Sequence, residues 1–202
     1  MPVKNDREYR VFENIEIREE GGKPIVRGYA STFDAYDLGE NADGYVYREQ
    51  IMPSAFDGAD MSDVVFVRDH FGQVFARTKN GLLVLKVDGH GLLAEVDLTQ
   101  TEGARAMMKD IEIKNYTQMS FSFVVAEHRF EEKNKVVTRY IEKLKKVYDV
   151  SAVAFPANPR TDIGLSFRGL FNGAIEEILT ERSERRKEIE RLKLKARLIE
   201  RS

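Results

Sequence analysis

From Tyr9 to Phe155 the apolar residues come in short runs, each rich in Val, Ile, Phe or Tyr, and turn signals stand between them. Runs of this length and composition suit strands and are too short to bury the face of a long helix. They fall at Tyr9–Ile17, Ile25–Ala30, Tyr45–Ile51, Val64–Arg68, Leu82–Val87, Leu92–Leu98, Gln118–Ala126, Val136–Glu142 and Val147–Ala154. The breaks include Gly21-Gly22-Lys23-Pro24, Asn80-Gly81 and Asp88-Gly89-His90-Gly91, residues that supply the backbone angles of tight turns. One interior stretch departs from this pattern. Thr101 is a good N-cap, and Ala104, Met107, Met108 and Ile111 follow at helical spacing, which predicts a helix over 101–113 covering one end of a sheet or barrel. The chain reads as mainly β, of the α+β class.

Beyond Pro159 the character changes. Residues 174–202 carry no Pro and are dense in Glu, Arg and Lys. Stepping by three and four gives Ile175, Ile178, Arg182, Arg185, Ile189, Leu192, Ala196 and Ile199, an apolar seam broken by two arginines. From Glu181 onward nine Lys or Arg stand against five Glu, so the tail is locally basic. The expected division is a domain over 1–165, then a linker and charged helical tail over 166–202. That helix is either a solvated end or a partner-binding segment.

Charge and cysteine usage limit the function classes. A formal net charge of -2 gives no general field for nucleic acid. The chain has no Cys, which excludes disulfides, zinc–thiolate sites and a Cys nucleophile. No apolar run approaches the ~20 residues that cross a bilayer, and Met1–Glu8 has no signal-peptide core, so a soluble protein is expected, with no membrane partner.

Three histidines can be weighed singly. His90 sits at a turn tip and reads as an exposed turn residue. His128 follows Gln118–Ala126 at its polar exit and is expected to face solvent. His70 ends the strand Val64–Arg68 and precedes Gly72, a place where a scaffold can present a general base. In Gln118–Val125, alternation puts Met119, Phe121, Phe123 and Val125 on a core face. Gln118, Ser120, Ser122 and Val124 then line the other face, which is either solvent or a cleft. Asp149 is a single carboxylate inside the apolar run 147–155. A buried carboxylate is costly without a partner, and an imidazole is a good one. Metal-dependent hydrolysis through Asp69, His70 and His128 is a poor reading, since their spacing is no recognised ligand pattern.

Several blocks taken in order resemble the prohead (capsid maturation) proteases of tailed bacteriophages, serine endopeptidases related in fold to the herpesvirus assembly protease. The blocks are Gly28-Tyr29-Ala30-Ser31-Thr32-Phe33, Glu49-Gln50-Ile51-Met52-Pro53-Ser54-Ala55-Phe56, the strand ending at His70, Phe75-Ala76-Arg77-Thr78 and Gly91-Leu92. Met119-Ser120-Phe121-Ser122-Phe123 and Asp149-Val150-Ser151 through Phe155-Pro156-Ala157-Asn158-Pro159 complete the set. The resemblance covers about residues 10–165.

It implies a small antiparallel β-barrel of the herpesvirus-protease type with peripheral helices and the charged C-terminal helix. It also implies Ser120 as nucleophile, His70 as general base and acid, and Asp149 as the residue orienting the imidazole. Two positions depart from the family pattern: Ser122 stands where a Gly is usual, and Asp149 where a Glu is usual. The implied partner is the phage major capsid protein or its scaffolding segment, cut inside the assembling prohead in the host cytoplasm, with self-cleavage and self-association allowed. No cofactor or metal is implied. The competing reading is a catalytically inactive barrel-type capsid assembly or scaffolding protein.

Overall fold

The computed structural model of this 202-residue chain describes residues 7–13, 15–154 and 165–199. The Phe155–Pro159 block and the residues joining it to the tail lie outside them.

Two sheets share one core. The run expected at Tyr9–Ile17 is split into β1 (Glu8–Glu13) and β2 (Ile15–Glu20), which belong to different sheets. The smaller sheet has the order β2-β3-β9-β8, with β3 at Lys23–Thr32, β8 at Leu83–Val87 and β9 at Gly91–Val96. The larger runs β1-β10-β11-β5-β4, with β4 at Tyr36–Glu40, β5 at Val46–Ile51, β10 at Gln118–Lys133 and β11 at Val136–Val153. The hairpin of β6 (Val65–Arg68) and β7 (Phe71–Arg77) joins it through β6, which also pairs with β11. Pairing is antiparallel except where β11 meets β5 and β6, both parallel to it. The mainly β, α+β expectation therefore holds. These pairings leave both sheets open, and no closed barrel is found among the described strands.

β11 joins the two runs expected at Val136–Glu142 and Val147–Ala154. The lysines between them do not end the strand, because exposed Lys143 and Lys145 flank buried Leu144 and the ladder to β10 continues through a register shift. β10 likewise continues past Ala126 to Lys133, with Glu127 and Arg129 paired across the ladder to Lys143 and Glu142. Strands β4 and β7 have no counterpart in the expected runs.

The shared core draws Ile15, Val26, Leu92 and Val96 from the smaller sheet and Phe121, Phe123, Val125, Val147 and Val150 from the larger. The expected interior helix is α1 (Glu102–Glu112). The Thr101 hydroxyl oxygen accepts from Ala104 N at 3.1 Å, and Ala104, Met107 and Ile111 are buried.

The tail forms α2 (Leu165–Ile199), whose beginning is part of the folded body. Phe171 and Ile175 join Leu38, Tyr47 and Val137 in a second core, and Tyr47 donates to Asn172 Oδ1 at 2.7 Å. Arg182 pairs with Glu132 at the tip of the β10–β11 hairpin. From Ser183 to Ala196 every residue is exposed, Ile189 and Leu192 of the seam included. Among the described residues no helix is long and apolar enough to cross a membrane.

Candidate active site

The strand register collects the polar residues of one face. Ser120 lies opposite Val11 on one side and Ser151 on the other, while Ser122 lies between Tyr9 and Asp149. Next along these rows, Val67 pairs with Ser151 and Val65 with Asp149. β6 thus runs beside Asp149 and Ser151 and turns immediately beyond them.

That turn delivers the imidazole. Arg68 pairs with Phe71, so Asp69 and His70 form a two-residue hairpin loop, and both have positive φ, 47° and 60°. Such loops match strand twist but favour Asn and Gly, and a non-glycine residue held there costs on the order of 1 kcal/mol or more. The surroundings hold the conformation. Asp69 N donates to Ala152 O at 3.1 Å, Ala154 N to Asp69 Oδ1 at 3.3 Å, and His70 N to Ser151 Oγ at 3.2 Å. These hydrogen bonds therefore fix where the ring lies.

His70 Nδ1 is 2.6 Å from Asp149 Oδ1, and His70 Nε2 is 2.6 Å from Ser120 Oγ. The Tyr9 ring meets the imidazole edge-to-face with centroids 4.6 Å apart. A carboxylate on Nδ1 selects the tautomer protonated there and leaves Nε2 as an acceptor for the serine hydroxyl. The structure thus brings all three sequence-predicted residues together in series.

The face that alternation left as solvent or cleft is closed: Ser120, Ser122 and Ser151 are fully buried and Asp149 nearly so. Asp149 has three donors. Ser151 Oγ donates to Oδ1 at 2.9 Å, beside His70, and Ser122 Oγ donates to Oδ2. Burial pushes its carboxyl up, but hydrogen bonds from His70 and Ser122, the His70 charge and the Ser151 bond together hold it below the usual carboxylate value. The shorter side chain reaches His70 directly.

Sequence reasoning gave no role to Ser151, although it lies two residues from Asp149 and so shares its face. It also gave none to Glu8, Arg10 or Arg139. Arg10 O accepts from Ser120 Oγ at 2.8 Å, and the Arg10 guanidinium is bound from the other face of β1 by fully buried Glu49. Arg139 bridges Glu49 at 3.0 Å and Glu8 at 2.6 Å, and Tyr36 donates to Glu49 at 2.6 Å. His128 belongs to this cluster rather than to solvent: it is half-buried, and its Nδ1 accepts from Arg139 at 2.9 Å. His90 is exposed at its turn, as read from sequence. A cavity of about 380 Å³ lies against the β6–β7 hairpin, lined by Arg68, Asp69, Phe71, Phe75, Met107 and Asp110 among others.

A hydroxyl, an imidazole and a carboxylate in series on a rigid sheet are the constellation used by serine hydrolases for acyl transfer. The sequence model of the caudovirus prohead serine protease family matches residues 13–174 of the chain, which belongs to that family of capsid-maturation proteases. No curated protein and no solved structure matches it.

Proposed function

We propose that the chain is an active serine endopeptidase that cuts the scaffolding segment of the phage capsid protein, or a separate scaffold, within the assembling prohead. The observation carrying this reading is the pair of 2.6 Å contacts made by the two nitrogens of one imidazole held at a hairpin turn.

In the proposed mechanism Ser120 Oγ attacks the peptide carbonyl carbon while its proton passes to His70 Nε2. The same proton then goes to the leaving amine, and a water attacks the acyl-enzyme by the reverse path. Asp149 holds Nδ1–H and stabilises the imidazolium as it forms. The open pair of sheets is read as the counterpart of the barrel that the family resemblance implies.

The exposed half of α2 is the docking segment in this reading. Residues 183–196 project roughly 20 Å at 1.5 Å per residue, with basic charge and a discontinuous apolar seam. Encapsidation through capsid or scaffold protein, and later removal by self-cleavage, fit a segment that the protease body does not cover.

The test is coexpression of the full chain, or its Ser120→Ala form, with the capsid precursor. Loss of processing with normal shell assembly supports the proposal, and wild-type processing by Ser120→Ala overturns it. The inactive assembly protein draws on one observation, the absence of exposed surface on Ser120. It predicts that both forms leave the precursor uncut.

A further inference from the structure

We propose that Ser122 is a positioning residue of the proposed triad: its hydroxyl holds the outer oxygen of Asp149 so that the inner oxygen faces His70. This rests on the reading of Ser120, His70 and Asp149 as the working group, and assigns the second serine of the strand a role the chemistry does not itself require.

The argument begins with a loose torsion. The final torsion of an aspartate is broad and roughly two-fold, so burial alone does not fix the carboxylate plane. Two donors converge on Oδ1, His70 Nδ1 at 2.6 Å and Ser151 Oγ at 2.9 Å. Ser151 Oγ also stands 3.2 Å from His70 Nδ1, so it belongs to the same side and cannot define the plane alone. Ser122 Oγ is on Oδ2, directly across the ladder from Asp149. Donors on both oxygens fix the plane.

The backbone favours this arrangement. The β10–β11 register shifts between Ser122 and Phe123, where Phe123 pairs with Val147, leaving Tyr148 as an extra residue beside Asp149. A bulge re-aims the side chains around it, and here it lies immediately next to the Ser122–Asp149 pair. Both serines are fully buried, so solvent does not stand by to replace a lost donor. Removing the Ser122 hydroxyl would leave Oδ2 buried and unpaired among the described residues. The carboxylate would then rotate toward the donors that remain or take up a proton, and either response weakens its hold on Nδ1–H.

The test uses the full chain and needs no substrate. Ser122→Ala and Ser122→Thr are compared with the parent by the low-field proton resonance of His70 Nδ1–H and the carbon-13 titration of the Asp149 carboxyl, and Asp149→Asn by the resonance alone. Ser122→Ala is expected to lose or broaden the low-field resonance and move the Asp149 titration to higher pH. Ser122→Thr, which keeps a hydroxyl, retains both wild-type signatures.

Should Ser122→Ala fail to fold, Ser122→Cys keeps the volume with a weaker donor and is expected to be intermediate. If Ser122→Ala, or Ser122→Cys in its place, leaves resonance and titration at their wild-type positions, the role of Ser122 is overturned. If Asp149→Asn leaves the His70 resonance in place, the triad reading itself fails. Loss in Asp149→Asn but not in the Ser122 variant sinks the positioning role alone.

Discussion

The backbone carbonyl of Arg10 lies 2.8 Å from the Ser120 hydroxyl, which also lies 2.6 Å from His70 Nε2. One hydroxyl proton cannot serve two acceptors. With a neutral imidazole it is directed to Nε2, and with an imidazolium, which donates from Nε2, it turns to Arg10 O. In the proposed mechanism the carbonyl thus gives Ser120 an acceptor for its proton when His70 is protonated. Ser120 and His70 act as a unit in this scheme, so their losses do not add. Ser120→Ala and His70→Ala should each lower capsid-precursor cleavage by at least about a thousandfold, and the double variant should be no slower than either alone. Quantified product formation in purified proheads checks this. Additive losses would mean that the two residues act separately.

Phe71 directly follows His70 and is 86 % exposed at the edge of the 380 Å³ cavity. A single exposed apolar residue is common, but this one lines a cavity directly beside His70, which places it to touch a chain bound there. Phe71→Ser should raise KM for the capsid precursor several-fold with little change in kcat, and should leave the unfolding temperature unaltered. Loss of kcat at unchanged KM would instead mean that Phe71 supports the His70 turn.

The tail divides at Arg182. Before it, Phe171 is fully buried, with its ring centroid 4.9 Å from Tyr47 and 5.2 Å from Phe130. After it the described side chains lie open to solvent. Phe171→Ala should cost about 3 kcal/mol of stability, the ordinary consequence of emptying an aromatic site. A chain ending after Arg182 should melt at the wild-type temperature and be packaged poorly. A chain ending at Asn172 would be a worse test of docking, since it also removes Ala174 and Ile175 from the folded body. Normal encapsidation of the chain ending after Arg182 would remove the docking role.

Particular residues set how much was legible in the sequence. Alternation gave the core face of β10, and a lone carboxylate in an apolar run drew attention to Asp149. A serine, His70 and Asp149 could be grouped from the residues alone, but choosing Ser120 over Ser122 needed the family resemblance, because cross-strand register is not written in any one strand. Ser122 and Ser151 took on meaning only when both faced Asp149. The strand β7 was missed because Phe71–Val74 are exposed and Gly72 interrupts them, which removes the half-buried pattern that marks a strand. The break expected near Lys143–Lys146 failed for the opposite reason, since charged residues that alternate with buried ones continue a strand as well as end it. The buried ionic cluster was invisible for a further reason: Glu8, Arg10, Glu49 and Arg139 come from three distant parts of the chain and look like surface charge when read singly.

That cluster contributes to the response to acid, alongside Asp60, Asp63, Asp88 and Asp97, which hydrogen bonds also hold low. Burial pushes the Glu49 carboxyl up, but the charges of Arg10 and Arg139, with hydrogen bonds from Arg10 and Tyr36, hold it below its ordinary value. Asp149 is held low as well, and burial followed by the Arg139 charge pushes the His128 imidazole down. All three groups bind protons less readily folded than unfolded, so the unfolded chain takes up more protons and stability falls as pH falls. For His128 the loss begins below its unfolded value of about 6.5, and for the two carboxylates below about 4. Urea midpoints should therefore be flat above about pH 7, decline first near 6.5 and fall again below 4. Glu49→Gln removes one of the two carboxylates that Arg10 and Arg139 share, Glu8 being the other, and should cost about 1–3 kcal/mol at neutral pH while flattening part of the limb below pH 4. His128→Gln should flatten only the upper limb. A Glu49→Gln protein as stable as wild type at pH 7 would show that the cluster does not hold β1, and with it the Arg10 carbonyl, against Ser120.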